Sequence, residues 1–208
     1  MTEPAGESGQ TEPTAQSLPL KLIVGLGNPG QQYTGTRHNV GFEVIAELAE
    51  RWQCGRPQQK CQAEIREAVR QDRRILLVTP LTFMNQSGQS VQQISRFFRI
   101  APEEIVVVCD DMNLPNGQLR WRASGSGGGQ KGLADILLRL GTDKVPRLRI
   151  GIGRPPGQMD ATAWVLGRFR SEERAAVEIA VRRAVDSIEY CLDAGLLAVM
   201  SRFNQSSS

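Results

Sequence analysis

The sequence predicts an α/β fold: a single layered domain with a mixed, largely parallel central sheet flanked by helices. Short apolar runs of strand length alternate along the chain with longer segments whose apolar residues recur at helical spacing, and this alternation is typical of strands connected by helices. The length of 208 residues agrees with one domain, since single domains commonly run ~100–200 residues. No internal repeat argues for another architecture.

The elements follow in order from local patterns. The first strand is predicted at residues 21–25, where an apolar run ends on glycine. A helix is predicted from Val40 to Trp52, where apolar side chains recur every three or four residues. Further strands are predicted at residues 74–79, 104–109, 118–123 and 147–152, and further helices at residues 88–99, 131–141 and 171–194. Ser171, followed by acidic residues, indicates a capped start of the last helix.

Composition excludes several classes of protein. The contents of 40% hydrophobic and 23% charged residues are ordinary for a globular protein. No apolar run approaches the ~20 residues that a membrane helix needs, so we expect no membrane association. Residues 1–20 contain three glutamates, no Lys or Arg and no apolar block, which indicates a disordered tail rather than a targeting leader. We therefore expect a catalytic domain at residues 21–204 and a short C-terminal tail at residues 205–208.

The cysteines and the single histidine bear on redox state and metal binding. The 4 cysteines form no Cys-x-x-Cys pair, and the presence of 1 histidine leaves no zinc-site spacing. Reduced thiols in the cytoplasm are therefore expected. We expect no bound metal.

Basic residues are concentrated in one part of the chain. Outside residues 1–20, 25 basic residues face 19 acidic ones, a net charge of +6 instead of the +3 of the whole chain. From Arg120 to Arg154, eight basic residues face only Asp135 and Asp143. Such a cluster is either a solvated face or the footprint of a phosphate-rich partner.

Two glycine-rich segments resemble nucleotide-binding loops without matching them in context. Residues 25–30 fit the Gly-x-Gly-x-x-Gly pattern, but Pro29 and ten further residues separate them from the next predicted helix. A dinucleotide fingerprint needs the helix to begin within the glycines. In residues 124–133, Lys131 follows glutamine and precedes glycine, which is not a phosphate-binding loop of the Walker type. A flexible loop, or a wide cleft for a polymeric phosphate, remains open there.

His38 is the candidate general base, because histidine is the side chain whose ordinary pKa lies closest to neutrality. A lone histidine is also often a structural residue. Asp110 follows a predicted strand at the carboxyl edge of the sheet, where α/β ligand sites gather. A carboxylate near an imidazole fixes its tautomer and supports it as a base. Asn85, at the start of a predicted helix, is either a substrate-binding amide or a helix cap.

Five ordered motifs give the chain a family resemblance. GLGNPGxxYxxTRHNxG, TPLTFMNxSG, DDxNLPxG, GGxKGLxDI and RLRIGIGRP occur in this order, and together they resemble bacterial-type peptidyl-tRNA hydrolases over about residues 21 to 204. The resemblance implies a monomeric α/β enzyme that hydrolyses the ester joining a peptide to the 3′ ribose of tRNA. It implies no cofactor and no metal. A non-catalytic RNA-binding member of the same fold is the alternative.

The resemblance also implies roles for individual residues. His38 of the TRHN motif would be the general base, Asp110 would support it, and Asn28 of the GNPG motif would lie beside it and help recognise the N-acylated substrate. The residues implied to line the tRNA and peptide site are Tyr33, Phe83, Asn85 and Lys131.

The chain departs from the common family pattern at four positions. Cys109 stands where histidine is common, Asn113 where aspartate is common, and Gln130-Lys131 where the usual pair is His-Asn. The departure weakens the role transferred to Lys131, since lysine keeps a donor but loses the amide acceptor. The roles transferred to His38 and Asp110 are not weakened.

Overall fold

Seven strands form the central sheet of the computed structural model, which describes residues 20–205. The strands are β1 (Leu22–Gly25), β2 (Gln58–Lys60), β3 (Ala63–Arg70), β4 (Arg73–Pro80), β5 (Ile105–Asp111), β6 (Leu119–Arg122) and β7 (Arg147–Gly151). Their order is β2-β3-β4-β1-β5-β7-β6. The four central strands β4, β1, β5 and β7 run parallel, whereas β2, β3 and β6 pair antiparallel to their neighbours. The mixed, largely parallel sheet is thereby confirmed.

Helices cover both faces of the sheet. They are α1 (Val40–Arg51), α2 (Ser87–Phe98), α3 (Lys131–Leu140), α4 (Ala161–Leu166), α5 (Ser171–Ala194) and α6 (Leu196–Phe203). Alternate strand residues face opposite sides, so Ile23 packs with the core under α1 and α5 while Leu22 and Val24 pack under α2 and α3. Within residues 20–205, no helix is both long and apolar enough to span a membrane.

Most elements lie where the sequence places them. Every predicted strand and helix is found with its ends shifted by at most two residues, and the helix predicted at residues 171–194 has those bounds. Four elements were not predicted, namely β2, β3, α4 and α6. The predicted tail at residues 1–20 lies outside the described residues except for its last residue, and the tail at 205–208 does so except for its first.

The helix starts decide two expectations about caps: the capped start at Ser171 is wrong, and of the two alternatives for Asn85 the helix cap is excluded. Ser171 does not cap α5, because it is the first helical residue and Arg170 precedes it as the cap position. The carboxylate of Glu173 instead accepts a hydrogen bond from the Arg170 backbone N–H at 2.7 Å. Asn85 does not cap α2, since it lies in a 3-10 turn, Met84–Gln86, and its side chain makes no cap hydrogen bond.

Helix α1 approaches the sheet at backbone distance. A Cβ atom added to Gly41 would lie 2.5 Å from the Leu26 backbone nitrogen and 2.6 Å from the Val108 carbonyl oxygen. These are the two atoms whose 2.9 Å hydrogen bond joins the end of β1 to β5. On the strand side, a Cβ at Gly25 would lie 2.2 Å from the Gly41 carbonyl oxygen. Only glycine permits this contact, which fixes the first turn of α1 over the junction of β1 and β5.

Strand β6 lies at an edge of the sheet, where its free side is occupied by an amide from the C-terminal part of the chain. Asn204 accepts a hydrogen bond from the Trp121 backbone N–H at 2.7 Å through Oδ1, and its Nδ2 donates to the Trp121 carbonyl oxygen at 3.1 Å. The side chain thus pairs with the strand as a peptide group of a further strand would. This arrangement satisfies an edge that would otherwise expose backbone donors and acceptors.

Candidate active site

A cleft of about 370 Å³ opens at the carboxyl ends of the central strands. Chain segments that follow β1, β4 and β5 meet there, as is usual for ligand sites at the point where the strand order of an α/β sheet reverses. Residues that line it are Asn28, His38, Phe83, Met84, Asn85, Asp110, Asp111, Met112, Asn113, Gly128, Gly129, Gln130, Lys131, Ala161, Thr162, Val165 and Leu166. Six of the seven residues singled out from the sequence are among them.

His38 and Asp110 form a buried pair. His38 lies in a 3-10 turn, Arg37–Asn39, that leads into α1, and Asp110 lies near the end of β5. Nδ1 of the imidazole is 3.0 Å from each carboxylate oxygen. A carboxylate only accepts hydrogen bonds, so the Nδ1–H group donates and Nε2 carries the lone pair. Nε2 has no hydrogen-bond partner among residues 20–205, while the His38 ring lines the cleft.

Asn28 is held beside this pair by hydrogen bonds to both its backbone and its side chain. The Asn39 amide joins the backbone of Asn28 twice, accepting from its N–H at 2.9 Å and donating to its carbonyl oxygen at 3.0 Å. The Met84 backbone N–H donates to Oδ1 of Asn28 at 2.8 Å. Because Oδ1 is engaged, the amide orientation is defined and Nδ2 remains as a free donor on a side chain that lines the cleft.

Arg37 anchors the turn that carries His38. Its guanidinium donates to the Arg168 carbonyl oxygen at 2.8 Å and to a carboxylate oxygen of Glu173 at 2.6 Å. The guanidinium carbon lies 3.5 Å from the ring centroid of Trp164. These contacts join the histidine turn to α4 and to the start of α5. Burial lowers the pKa of Arg37, and the Glu173 carboxylate partly offsets that effect.

The predicted substrate-binding residues divide into two groups. Phe83, Asn85 and Lys131 are exposed and line the cleft, with Phe83 57% exposed. Lys131 is the first residue of α3 and lies beside Gly128 and Gly129. Tyr33, by contrast, is half-buried in a separate 3-10 turn and does not line the cleft.

Two arginines of the basic stretch serve the fold. Arg147 is buried at 2% exposure and donates to the carbonyl oxygens of Gly125 and Asp143 at 2.7 and 3.2 Å. Burial lowers its pKa. Arg149 pairs with the buried carboxylate of Asp111 at 3.1 Å. The Arg147 guanidinium is therefore committed to the fold, whereas the side chain of Arg149 is ion-paired and remains 21% exposed.

Sequence reasoning missed the apolar wall of the cleft. Helix α4 contributes Val165 and Leu166, and the segment after β5 contributes Met112. The Trp164 indole N–H fastens α4 by donating to the Gly153 carbonyl oxygen at 2.9 Å. The short run Ala-Thr-Ala-Trp-Val-Leu was the available signal, because it starts after Asp160, whose carboxylate caps it by accepting from the Ala163 N–H.

The described residues also bear on metal and thiol chemistry. Within residues 20–205, no group of three or more His, Cys, Asp or Glu side chains is arranged to hold a metal ion. Cys109 precedes Asp110 but is fully buried on the opposite face of β5. Burial, reinforced by the negative charge of Asp110, raises the pKa of its thiol.

The chain is similar to proteins of one family over nearly its whole length. A family model described as peptidyl-tRNA hydrolase matches residues 22–208. The peptidyl-tRNA hydrolase of Rhodopirellula baltica is 44% identical over 188 residues, which cover 90% of this chain and 99% of that protein. That of Chloroflexus aggregans is 46% identical over 184 residues, covering 88% and 98%. The crystal structure of peptidyl-tRNA hydrolase from Acinetobacter baumannii superposes with a TM-score of 0.85 at 33% identity, covering 92% of this chain and 97% of that one.

Proposed function

Since the chain belongs to the peptidyl-tRNA hydrolase family, it hydrolyses the ester between a peptide and the tRNA 3′ ribose, and we propose that His38 is its general base. The observation that carries this assignment is the contact of Nδ1 with both oxygens of Asp110 at 3.0 Å. It places the proton on Nδ1 and leaves the Nε2 lone pair to act on a water molecule in the cleft.

The reaction requires one proton to move twice. Nε2 of His38 removes a proton from water as the water oxygen bonds to the ester carbonyl carbon. When the tetrahedral intermediate collapses, the bond from carbon to the ribose 3′ oxygen breaks, and the imidazolium returns the proton to that oxygen. Asp110 stabilises the imidazolium between the two transfers. The products are a peptide with a free carboxyl group and tRNA with a free 3′ hydroxyl.

Asn28 supplies the neutral donor that this chemistry needs. Its Nδ2 group is the uncommitted end of an amide whose oxygen is held by Met84. A donor fixed before the substrate binds stabilises a developing oxyanion, or a peptide carbonyl of the substrate, without reorganising. An activated ester needs no covalent nucleophile, so one base and a few fixed donors suffice.

The rest of the cleft accommodates the two parts of the substrate. Phe83 and the apolar side chains of Met112, Val165 and Leu166 offer a surface for peptide side chains and for the terminal base. Asn85 offers an amide for hydrogen bonding, and Lys131 offers a cation for phosphate. The substrate-binding role of Tyr33 rests on the family resemblance alone.

Three further properties belong to the proposal. The enzyme acts in the cytoplasm, where charged tRNA is used, and as a monomer, because one chain supplies every group named above. The mechanism uses no metal ion, so hydrolysis should persist after dialysis against EDTA.

A non-catalytic RNA-binding protein would have no need of a buried imidazole–carboxylate pair open to a cleft, and so the pair favours the enzyme.

The test is release of N-acetyl-amino acid from N-acetyl-aminoacyl-tRNA, with free aminoacyl-tRNA as the control substrate. His38→Ala should reduce kcat by about 10²–10⁴-fold, since that is the usual contribution of a general base. Asp110→Ala should reduce it less, because the base survives without its orientation. Activity of His38→Ala within tenfold of wild type would exclude His38 as the base. Equal losses in the two variants would contradict the division of roles.

A further inference from the structure

Gln130 contacts the aspartate of the buried pair. Its Nε2 group donates to Oδ1 of Asp110 at 3.2 Å, and its Oε1 accepts from the Leu133 backbone N–H at 2.7 Å. Nε2 also lies 3.0 Å from the Met84 sulfur. The side chain is 6% exposed. Both ends of the amide are therefore committed to protein groups, and its orientation follows from the cap that it forms on α3.

We propose that Gln130 is a positioning residue that holds the Asp110 carboxylate in the orientation in which it accepts the hydrogen bond from His38. Oδ1 of Asp110 accepts from both the imidazole Nδ1–H and the glutamine amide, so two fixed donors hold this oxygen and oppose rotation of the carboxylate away from the ring. The first turn of α3 thereby contributes to the orientation of the base. This role rests on the proposed function, since it acts through Asp110 and His38.

The amide is suited to this position because it carries no charge. The charged groups around the pair are Lys131 on α3, the Asp111–Arg149 ion pair that joins β5 to β7, and the Arg37–Glu173 ion pair beside the histidine turn. The Cys109 thiol lies behind Asp110 on the far face of the sheet. Among these charged groups, a neutral amide holds Asp110 without adding a further titratable side chain beside His38, the single histidine of the chain.

Two substitutions separate positioning from capping. Gln130→Glu keeps an oxygen that accepts from the Leu133 N–H, but it cannot donate to Asp110 when ionised. Gln130→Met keeps the approximate volume and removes both hydrogen bonds. We expect kcat to fall about tenfold or more in both variants, with KM changed less than twofold. Both variants should lower Tm: Gln130→Met loses the cap on α3, and Gln130→Glu places a second buried carboxylate beside that of Asp110.

The pH profile supplies the readout that a structural role would not change. A carboxylate at position 130 adds negative charge beside the pair and stabilises the imidazolium. The acidic limb of kcat against pH should therefore move to higher pH in Gln130→Glu, because His38 must be neutral to act. Gln92→Met is the matched control. Gln92 donates to the Arg139 carbonyl oxygen at the other end of α3, and its loss should leave kcat and the acidic limb unchanged.

The outcomes distinguish this inference from the proposed function. An inactive wild-type protein, or an active His38→Ala variant, would overturn the proposed function. With both of those as expected, a Gln130→Glu variant that has the wild-type kcat and acidic limb would reduce Gln130 to a helix cap. A rise in KM at unchanged kcat would make Gln130 a substrate contact instead. Recovery of kcat in Gln130→His, which can again donate to Asp110, would support positioning.

Discussion

At the scale of single residues, the components of the buried pair were predictable and their supports were not. A single histidine and an aspartate at a strand end are visible in the sequence, and their pairing followed from chemistry. Arg37 lies beside His38, but its partner Glu173 is 136 positions away. Charge alone cannot choose that glutamate among the acidic residues of α5, because the choice depends on how α5 packs against the histidine turn.

The loss of Lys131 should weaken substrate binding rather than slow the chemistry. Its ammonium group is exposed at the first position of α3 and lines the cleft. We expect Lys131→Ala to raise KM far more than it lowers kcat. The slope of log affinity against log salt concentration should fall in magnitude by about 0.7–0.9, the contribution of one phosphate contact.

Binding is best measured in a His38→Ala background, where the substrate survives the titration. Lys144→Ala is the matched control, because Lys144 is an exposed lysine of the same basic stretch that does not line the cleft. Its slope and KM should stay closer to wild type than those of Lys131→Ala. If Lys131→Ala binds with an unchanged slope, the phosphate contact lies elsewhere.

At the scale of elements, the central parallel strands and the long helices were predictable, while the antiparallel hairpins were not. β3 has the sequence Ala-Glu-Ile-Arg-Glu-Ala-Val-Arg, whose composition favours a helix. Its turn to β4 is formed by Gln71 and Asp72, both with positive φ, where a two-residue hairpin commonly has Asn-Gly. Pairing with β4 along eight residue pairs overrides both local preferences.

The amide of Asn204 should contribute measurably to the stability of the β6 edge. Asn204→Ala removes two hydrogen bonds to the Trp121 backbone, and we expect the free energy of unfolding to fall by about 1–2 kcal/mol. That loss corresponds to a Tm lower by roughly 2–4 °C per kcal/mol for a chain of this size. Gln205→Ala, at an exposed neighbouring position, should change the free energy by less than about 0.5 kcal/mol. Equal effects in urea unfolding would argue against the edge contact.

At the scale of the whole molecule, the four cysteines report on the opening of the core. Cys109 and Cys191 are buried at 0% exposure, whereas Cys54 and Cys61 are half-buried. Burial raises the pKa of the Cys191 thiol to about 12 and also raises the pKa of Cys54. The thiolate is the reactive form, so the two core thiols should react with an aromatic disulfide only when the domain opens.

The expected result is two thiols modified in the native protein and four in urea. Raising the pH should speed modification of the outer thiols, because it increases their thiolate fraction. Modification of the two core thiols should be slower and should follow the unfolding equilibrium. A stabilising buffer should slow it further. Fast modification of all four thiols in the folded protein would mean that the core is far more accessible than the packing of β5 and α5 allows.

The glycine contact between α1 and the sheet has a consequence for how this enzyme can change over evolutionary time. Gly41 is three positions after His38, and it rests on the hydrogen bond that ties β1 to the strand bearing Asp110. Any larger residue at position 41 would push the helix away from the sheet. The same change would separate His38 from Asp110. Substitutions at this contact therefore cannot make the site more adaptable, because each would lower both the stability of the fold and the turnover rate. New substrate preferences have to arise in the other walls of the cleft, at exposed side chains such as Phe83, Asn85 and Leu166.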